Sequence, residues 1–338
     1  MSRKGLGALG IVAVCLLCYG NSLQGSFHYD DFHSIVDNPG IRSLANLPHF
    51  FADPEMFSAD AEKRMYRPLL LCSYGVNYAL GGLDPMGYHL LNGLLHAANA
   101  IWVLLLVRGL GLGGFSPFAA ALLFAVHPLN SEVVHYASSR SEALMAFFFL
   151  AACWAYLRHG VSGAWSWYGL ALCCGGLAML SKSVAVVLGA VLVLCDWLVG
   201  RDLRKYWPRY LPFAVLALCY ALFSRALIGK ALLAPVRPLD VQVWTQIKGA
   251  LYYALIGVMP FKLSVEHQFY PSSSLGEPAV VGAGLLLLSL GWLLWRSGWR
   301  IPIFASGWAT VLLGPTFVVP LIVLVNEHRL YLSMAGWC

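Results

Sequence analysis

The stretch GLGALGIVAVCLLCYGNSLQGSFHYDDF, residues 5–32, decides the fold class. Residues 5–22 are uncharged and come close to the ~20 apolar residues a helix needs to cross a bilayer. The acidic pair Asp30-Asp31 follows directly. Two carboxylates at the mouth of a transmembrane helix are costly to desolvate, and ionisable groups at such places mark function. Upstream, Met1-Ser2-Arg3-Lys4 gives the run a basic start. Tyr19-Gly20-Asn21 is a poor cleavage site, so the run reads as a retained signal anchor rather than a removed leader. That leaves the amino terminus in the cytoplasm and Asp30-Asp31 on the opposite face, in periplasm or organelle lumen.

Moving outward, the 338 residues are 59% hydrophobic and 11% charged, against about 25% charged in soluble domains. Nine apolar runs are predicted to span: 5–22, 86–107, 116–136, 141–158, 165–182, 184–200, 210–228, 279–296 and 302–324. The expected fold is an all-α polytopic membrane protein, a bundle of about nine transmembrane helices with amphipathic helices in its outer loops. Charge supports the order. Arg3, Lys4, Arg108, Arg158, Arg201, Arg204, Lys205, Arg209, Arg296 and Arg300 fall at cytoplasmic ends, with Asp196 and Asp202 the acids at that level. This is the positive-inside pattern. The net charge of +6 therefore sorts by loop and gives no patch for nucleic acid.

Residues 66–82 and 244–263 are apolar but break the parity of the loops, so they read as interfacial or re-entrant helices on the outer face. Phe50, Phe51, Met56 and Phe57 suggest another surface-lying segment. Two long outer loops result, 23–85 and 229–278, and long loops beside compact spans are usually functional. The whole chain, 1–338, reads as one membrane domain without a soluble or TPR domain. Most of the nine cysteines lie in apolar runs, where they act as small apolar fillers rather than a disulfide framework.

Polar groups in this setting are the candidates for chemistry. In Asp30-Asp31, one carboxylate suits a general base while its neighbour orients substrate or a metal; an N-cap or solvated loop is the plain alternative. His89, Asn92, His96 and Asn99 share one helical face, which fits either interhelical hydrogen bonds or a cavity wall. His127-Pro128-Leu129-Asn130-Ser131-Glu132 and then Arg140 and Glu142 are brought together by a short outer turn, as mutual partners or as a binding wall. Lys182 either snorkels or meets an anion, and Arg329, in Asn326-Glu327-His328-Arg329-Leu330-Tyr331, has the planar fork that suits phosphate. No P-loop, dinucleotide fingerprint, zinc-protease helix or nucleophile elbow occurs.

In this order, FHYDD, Asn38-Pro39, Tyr66-Arg67-Pro68-Leu69, GYHLLNGLLH (87–96), HPLNSE (127–132), SRSE (139–142), Ser181-Lys182, QIKGALYYALIGVMPFKLSVEHQF (246–269) and EHRLYLS (327–333) resemble the GT-C glycosyltransferases. The likeness is to protein O-mannosyltransferase-like enzymes of the transmembrane-and-TPR-repeat type and their bacterial relatives, and it runs over nearly the whole chain. The resemblance implies an inverting transfer of a monosaccharide, a mannose-like hexose, from a polyprenyl-phosphate donor to a protein or glycan hydroxyl, with protein Ser/Thr favoured. It makes Asp30 the base and Asp31 the residue that orients acceptor or metal. Lys182, Arg329 and Arg140 would hold the donor phosphate. Arg67, His89, Asn92, His127, Glu132, Glu327 and Tyr331 would form the cavity wall. A divalent cation is left open as cofactor, and membrane lipid is an implied partner. Ser183 stands where relatives usually place Glu, and relatives continue beyond the point corresponding to Cys338, so a shortened, bacterial member is expected. The bacterial inner membrane is favoured over the endoplasmic reticulum, with the active site on the periplasmic or luminal face. A transporter or flippase of a lipid-linked or anionic solute, or an inactive scaffold of this fold, are the rival readings.

Overall fold

The computed structural model describes residues 3–228, 236–320 and 322–338. Met1 and Ser2, the side chains of Arg3 and Lys4, and residues 229–235 at the start of the second expected outer loop lie outside the described residues. The described residues are helical and contain no strand. The main helices are α1 (Arg3–Tyr19), α2 (Pro68–Gly81), α3 (Pro85–Gly109), α4 (Ser116–Val126), α5 (Ser131–His135), α6 (Arg140–Ser162) and α7 (Trp165–Ser181). They continue with α8 (Leu188–Leu198), α9 (Leu211–Ile228), α10 (Leu239–Val258), α11 (Pro278–Ser297), α12 (Arg300–Val318) and α13 (Tyr331–Trp337).

Five helical stretches are long and apolar enough to cross a membrane: Gly7–Gln24, Pro85–Gly109, Ala137–Ser162, Pro278–Ser297 and Arg300–Val318. Two bent pairs raise the number to 7 if each is one span. The chain is a multi-pass, all-α membrane protein. Each of the nine apolar runs is built around a helix among the described residues, although α7 and α8 are short for a span and the helix of the last run ends at Val318. The run 116–136 is broken by 55°, because His127 is extended ahead of Pro128, as a residue before proline prefers.

The two parity-breaking stretches are also helices. At about 1.5 Å per residue, α2 is too short to cross, whereas α10 has the length but is not among the five apolar candidates. The first loop is packed rather than surface-lying. Phe50 and Phe57 are buried in a small core with Ile35, Ile41, Leu70, Leu71, Tyr74 and Tyr88, and among the expected surface aromatics Phe51 is exposed. Asn38 ties this cap together: its Oδ1 accepts from Gly40 N (2.8 Å), and its Nδ2 donates to the carbonyls of Ser34, Met56 and Phe57. A buried amide with all of these partners resists local opening, because leaving any of them unpaired is expensive.

The larger core joins α1, α3, α4, α6, α7, α8 and α12. The terminal α13 closes it by close approach. A Cβ on Gly336 would lie 2.5 Å from the indole of Trp308, so only glycine lets α13 sit on α12. Trp308 is fully buried and donates Nε1–H to Leu332 O (2.9 Å). This seating brings the Glu327–Tyr331 segment to the turn that follows α4 and to α5 itself.

Candidate active site

The turn Tyr136–Glu142 is the hub of the site. α5 stops at His135, Tyr136 is extended, Ala137–Ser139 makes one 3-10 turn, and α6 starts at Arg140. Every polar residue on this turn except Ser139 holds another element. The Tyr136 hydroxyl accepts from Asp30 N (2.8 Å). Ser138 donates both N–H (2.7 Å) and Oγ–H (2.5 Å) to Asp31 Oδ1. Ala137 O accepts from Tyr74 (3.2 Å), and Ser141 Oγ accepts from Arg67 (3.0 Å). Glu142 pairs with Lys182.

Asp30 and Asp31 differ in environment. Asp31 is fully buried, with Oδ2 accepting from His28 N (3.0 Å) in addition to the Ser138 bonds. Burial pushes its carboxyl above the ordinary range, against the pull of those donors. Asp30 keeps 56% of its side chain exposed, with Oδ1 facing His33 Nε2 (3.2 Å) and Lys63 Nζ (3.4 Å). The hydrogen bond from His33, helped by the charges of His33 and Lys63, holds it down at about 2 against partial burial. The pair follows Tyr29, whose φ of 45° is left-handed, a costly conformation for a non-glycine residue that surrounding contacts must enforce.

Beyond the turn, cations gather. Lys182 is 9% exposed, and its Nζ donates to Glu142 Oε1. His328 Nε2 stands 3.8 Å from the same oxygen. His328 Nδ1 (2.8 Å) and N (3.2 Å) both meet the Glu132 carboxylate. Arg329 spends its guanidinium on the carbonyls of Leu324 and Val323, within electrostatic reach of Lys182 and His328. Arg67 lies within reach of Glu142, Lys182 and Asp30. Asp30, Arg67, Lys182 and Arg329 thus share one neighbourhood around the turn.

Other expected site residues serve packing. Arg140 is fully buried and gives its guanidinium to Asn92 (2.8 Å), Asn77 (2.7 Å), Ser73 (3.2 Å) and the Tyr88 carbonyl (2.9 Å), over the rings of Tyr74 and Tyr88. Four of its five N–H donors are thus given to protein partners. Asn92 also donates to Val133 O and Tyr136 O, so it locks α3 to the hub. Tyr331 is buried, its hydroxyl shared by His96 (2.9 Å) and Asn99 (3.1 Å). The stripe 92–96–99 is therefore the interhelical network, because each polar atom in a bilayer-level helix needs a protein partner. His89 is buried near Asp31, where the missing side chain of Gly25 gives its ring room. His127 is half-buried and caps Leu129 N at 3.4 Å.

Glu327 is buried and accepts from Ser264 N (2.6 Å) and His267 Nε2 (2.8 Å), while His267 Nδ1 meets the Tyr252 hydroxyl (2.9 Å). Burial pushes the Glu327 carboxyl up against those two donors. Tyr252 lines a groove of about 370 Å³ with Lys248, Phe269 and Tyr270 between α10 and α11. Among the described residues no three His, Cys, Asp or Glu side chains form a metal-ligand set, and Asp31, the residue expected to orient a metal, has both oxygens hydrogen-bonded. Sequence reading missed Tyr136, Ser138, Ser141, His33 and Lys63 as contributors. Small hydroxyls and loop cations carry no periodic signal; the SRSE motif was the only pointer.

Residues 86–228 match the family described as dolichyl-phosphate-mannose-protein mannosyltransferase. Among curated proteins the chain is 35% identical over 210 residues to Protein O-mannosyl-transferase Tmtc1 of Drosophila melanogaster, covering 60% of this chain and 24% of that protein. It is 32% identical over 200 residues to Protein O-mannosyl-transferase TMTC2 of Mus musculus, covering 57% and 24%. To Protein O-mannosyl-transferase TMTC3 of Homo sapiens it is 39% identical over 166 residues, covering 48% and 18%. The chain thus spans about a quarter or less of these relatives' length. No solved structure matches. The likeness read from the motifs is a real homology to protein O-mannosyl-transferases.

Proposed function

We propose that this homologue of the protein O-mannosyl-transferases is a membrane glycosyltransferase. It moves a mannose-like hexose from a polyprenyl phosphate to a Ser/Thr hydroxyl of a protein acceptor, on the non-cytoplasmic face. The observation that carries this reading is one turn, Tyr136–Glu142, holding an exposed carboxylate on one side and two cations, Arg67 and Lys182, on the other. Inverting transfer requires that pairing: a base for the acceptor and positive charge for the leaving phosphate.

Asp30 takes the acceptor proton. His33 and Lys63 keep Asp30 ionised in the empty site, and an acceptor hydroxyl that displaces them removes the contacts that hold its carboxyl low and so raises its basicity. The new bond forms to the anomeric carbon as the sugar–phosphate bond breaks, and the electron pair goes to the polyprenyl phosphate. That phosphate gains negative charge, which Lys182, Arg329 and Arg67 offset. Buried cations do this well because water is excluded from around them. Asp31 sets the loop geometry that presents Asp30, and Arg140 holds α2, α3 and α6 together beneath it. The positive-inside charge pattern supports the non-cytoplasmic placement.

The test is transfer from a polyprenyl phosphate mannose donor to a Ser/Thr peptide by the full chain in nanodiscs. Wild type should transfer, and Lys182→Met should raise the donor KM at least ~10-fold, the loss of one charged hydrogen bond. Equal donor kinetics in both would remove Lys182 from the site.

A further inference from the structure

The cation pocket already contains an anion. Glu142 is 3% exposed and its Oε1 is bonded to Lys182 Nζ. Arg67 and Arg329 lie beside this pair, yet neither makes an ion pair with a carboxylate among the described residues; they are hydrogen-bonded to Ser141 Oγ and to the carbonyls of Leu324 and Val323. A ligand phosphate at Lys182 brings a second anion against the buried Glu142 carboxylate, and the repulsion between the two favours release of Glu142 from the lysine. A displaced, still buried carboxylate must find another donor, since an unpaired buried charge is strongly disfavoured. One such donor lies close by: His328 Nε2, 3.8 Å from the same oxygen.

We propose that Glu142 is a resident counter-anion that holds Lys182 until a phosphate takes its place and is then handed to His328. The proposal deepens the phosphate-pocket reading above and rests on it. The proton balance follows from the hydrogen bonds. His328 Nδ1 stands 2.8 Å from Glu132 Oε1, whose carboxyl burial raises to about 7; with Glu132 ionised Nδ1 carries the ring proton, and Nε2 can donate to Glu142 only if the ring gains a second proton from solvent. Exchange thus takes up one proton, with Nδ1–H on Glu132 and the new Nε2–H on Glu142. In the empty site burial and the nearby charges of Lys182, Arg329 and Arg67 hold His328 well below the ordinary histidine range, with Glu142 opposing them. A phosphate that draws Lys182 away and leaves Glu142 facing the ring reverses that balance. The groups bearing on His328 are Glu132 from α5, Glu142 from α6, Lys182 after α7, Arg67 before α2 and Arg329 beside it, with the Glu327–His267 pair next to them. Glu142 would thereby exclude neutral lipids, which cannot displace it, and admit a phosphodiester.

Calorimetric titration of the full chain in nanodiscs tests this, with a polyprenyl methyl phosphodiester as probe, because it keeps one negative charge throughout the pH range. Dimethyl phosphate and free polyprenol are the comparison ligands, run in two buffers of different ionisation enthalpy. Wild type should bind the lipid phosphodiester with uptake of about one proton. Glu142→Gln should bind it ~10-fold more tightly, one charged hydrogen bond no longer having to be broken, with uptake near zero. Free polyprenol should not displace it. Dimethyl phosphate binding with the same uptake supports the exchange with a soluble phosphate as source. Wild-type binding without proton uptake overturns the proposal, as does Glu142→Gln binding no tighter while Lys182→Met loses affinity; both outcomes leave the phosphate pocket standing. Absence of binding by every form overturns the pocket itself. If Glu142→Gln fails to fold, with Lys182 left buried and unpaired, the wild-type proton uptake alone decides.

Discussion

Asp31 gives both oxygens to Ser138 and His28 in a buried setting, while Asp30, one residue earlier, faces solvent, His33 and Lys63. Their substitutions should separate accordingly. Asp31→Ala strands the N–H groups of Ser138 and His28 and should cost about 1–3 kcal/mol, read as a lowered thermal melting point. Asp30→Ala should melt close to wild type near neutral pH. Asp30 also has a pH signature. Its folded value of about 2 lies below its ordinary 3.8, so its pairing stabilises the fold fully above about pH 4 and this contribution is lost as pH falls through 2. More than half exposure makes the contribution small. Acid titration of melting should be slightly flatter in Asp30→Asn than in wild type; a steeper acid limb in the variant would contradict the assigned pairing. The adjacency of the two carboxylates was legible in FHYDD. Their division was not, because it depends on Ser138, more than a hundred residues away.

At the scale of elements, the turn between α5 and α6 does the joining. The family resemblance made Arg140 a phosphate candidate. Its guanidinium is instead occupied by α2 and α3. Arg140→Lys keeps the charge but cannot reproduce the fork geometry. It should destabilise by about 2–4 kcal/mol through stranded buried acceptors, and surviving folded protein should bind a polyprenyl phosphodiester with near-wild-type affinity. Normal stability with a selective loss of that affinity would return Arg140 to the phosphate site. The polar stripe of α3 shows the same limit. Its common face was readable from spacing, but whether a face meets ligand or protein is decided by what packs there, here Tyr331 from the far end of the chain.

For the whole molecule, apolar runs and basic loops carried most of the architecture, since bilayer thickness and charge asymmetry act on composition alone. The packed first-loop cap needed tertiary contacts to be seen, whereas the break at His127-Pro128 follows from the local preference of a residue before proline. The positive-inside order places Lys63 and Arg204 on opposite sides. Cysteines introduced at Lys63 and Arg204 in a cysteine-depleted chain should therefore react from opposite faces with an impermeant maleimide; labelling from one face would refute that order. The central claim is that Asp30 serves as the base in transfer from a polyprenyl phosphate sugar. It is tested most directly by single-turnover transfer to a Ser/Thr peptide, comparing wild type with Asp30→Asn at matched folded protein and saturating donor. The expected result is a loss of at least ~100-fold in rate, the lower end of general-base contributions, with donor affinity retained. Equal rates in the two proteins would contradict it.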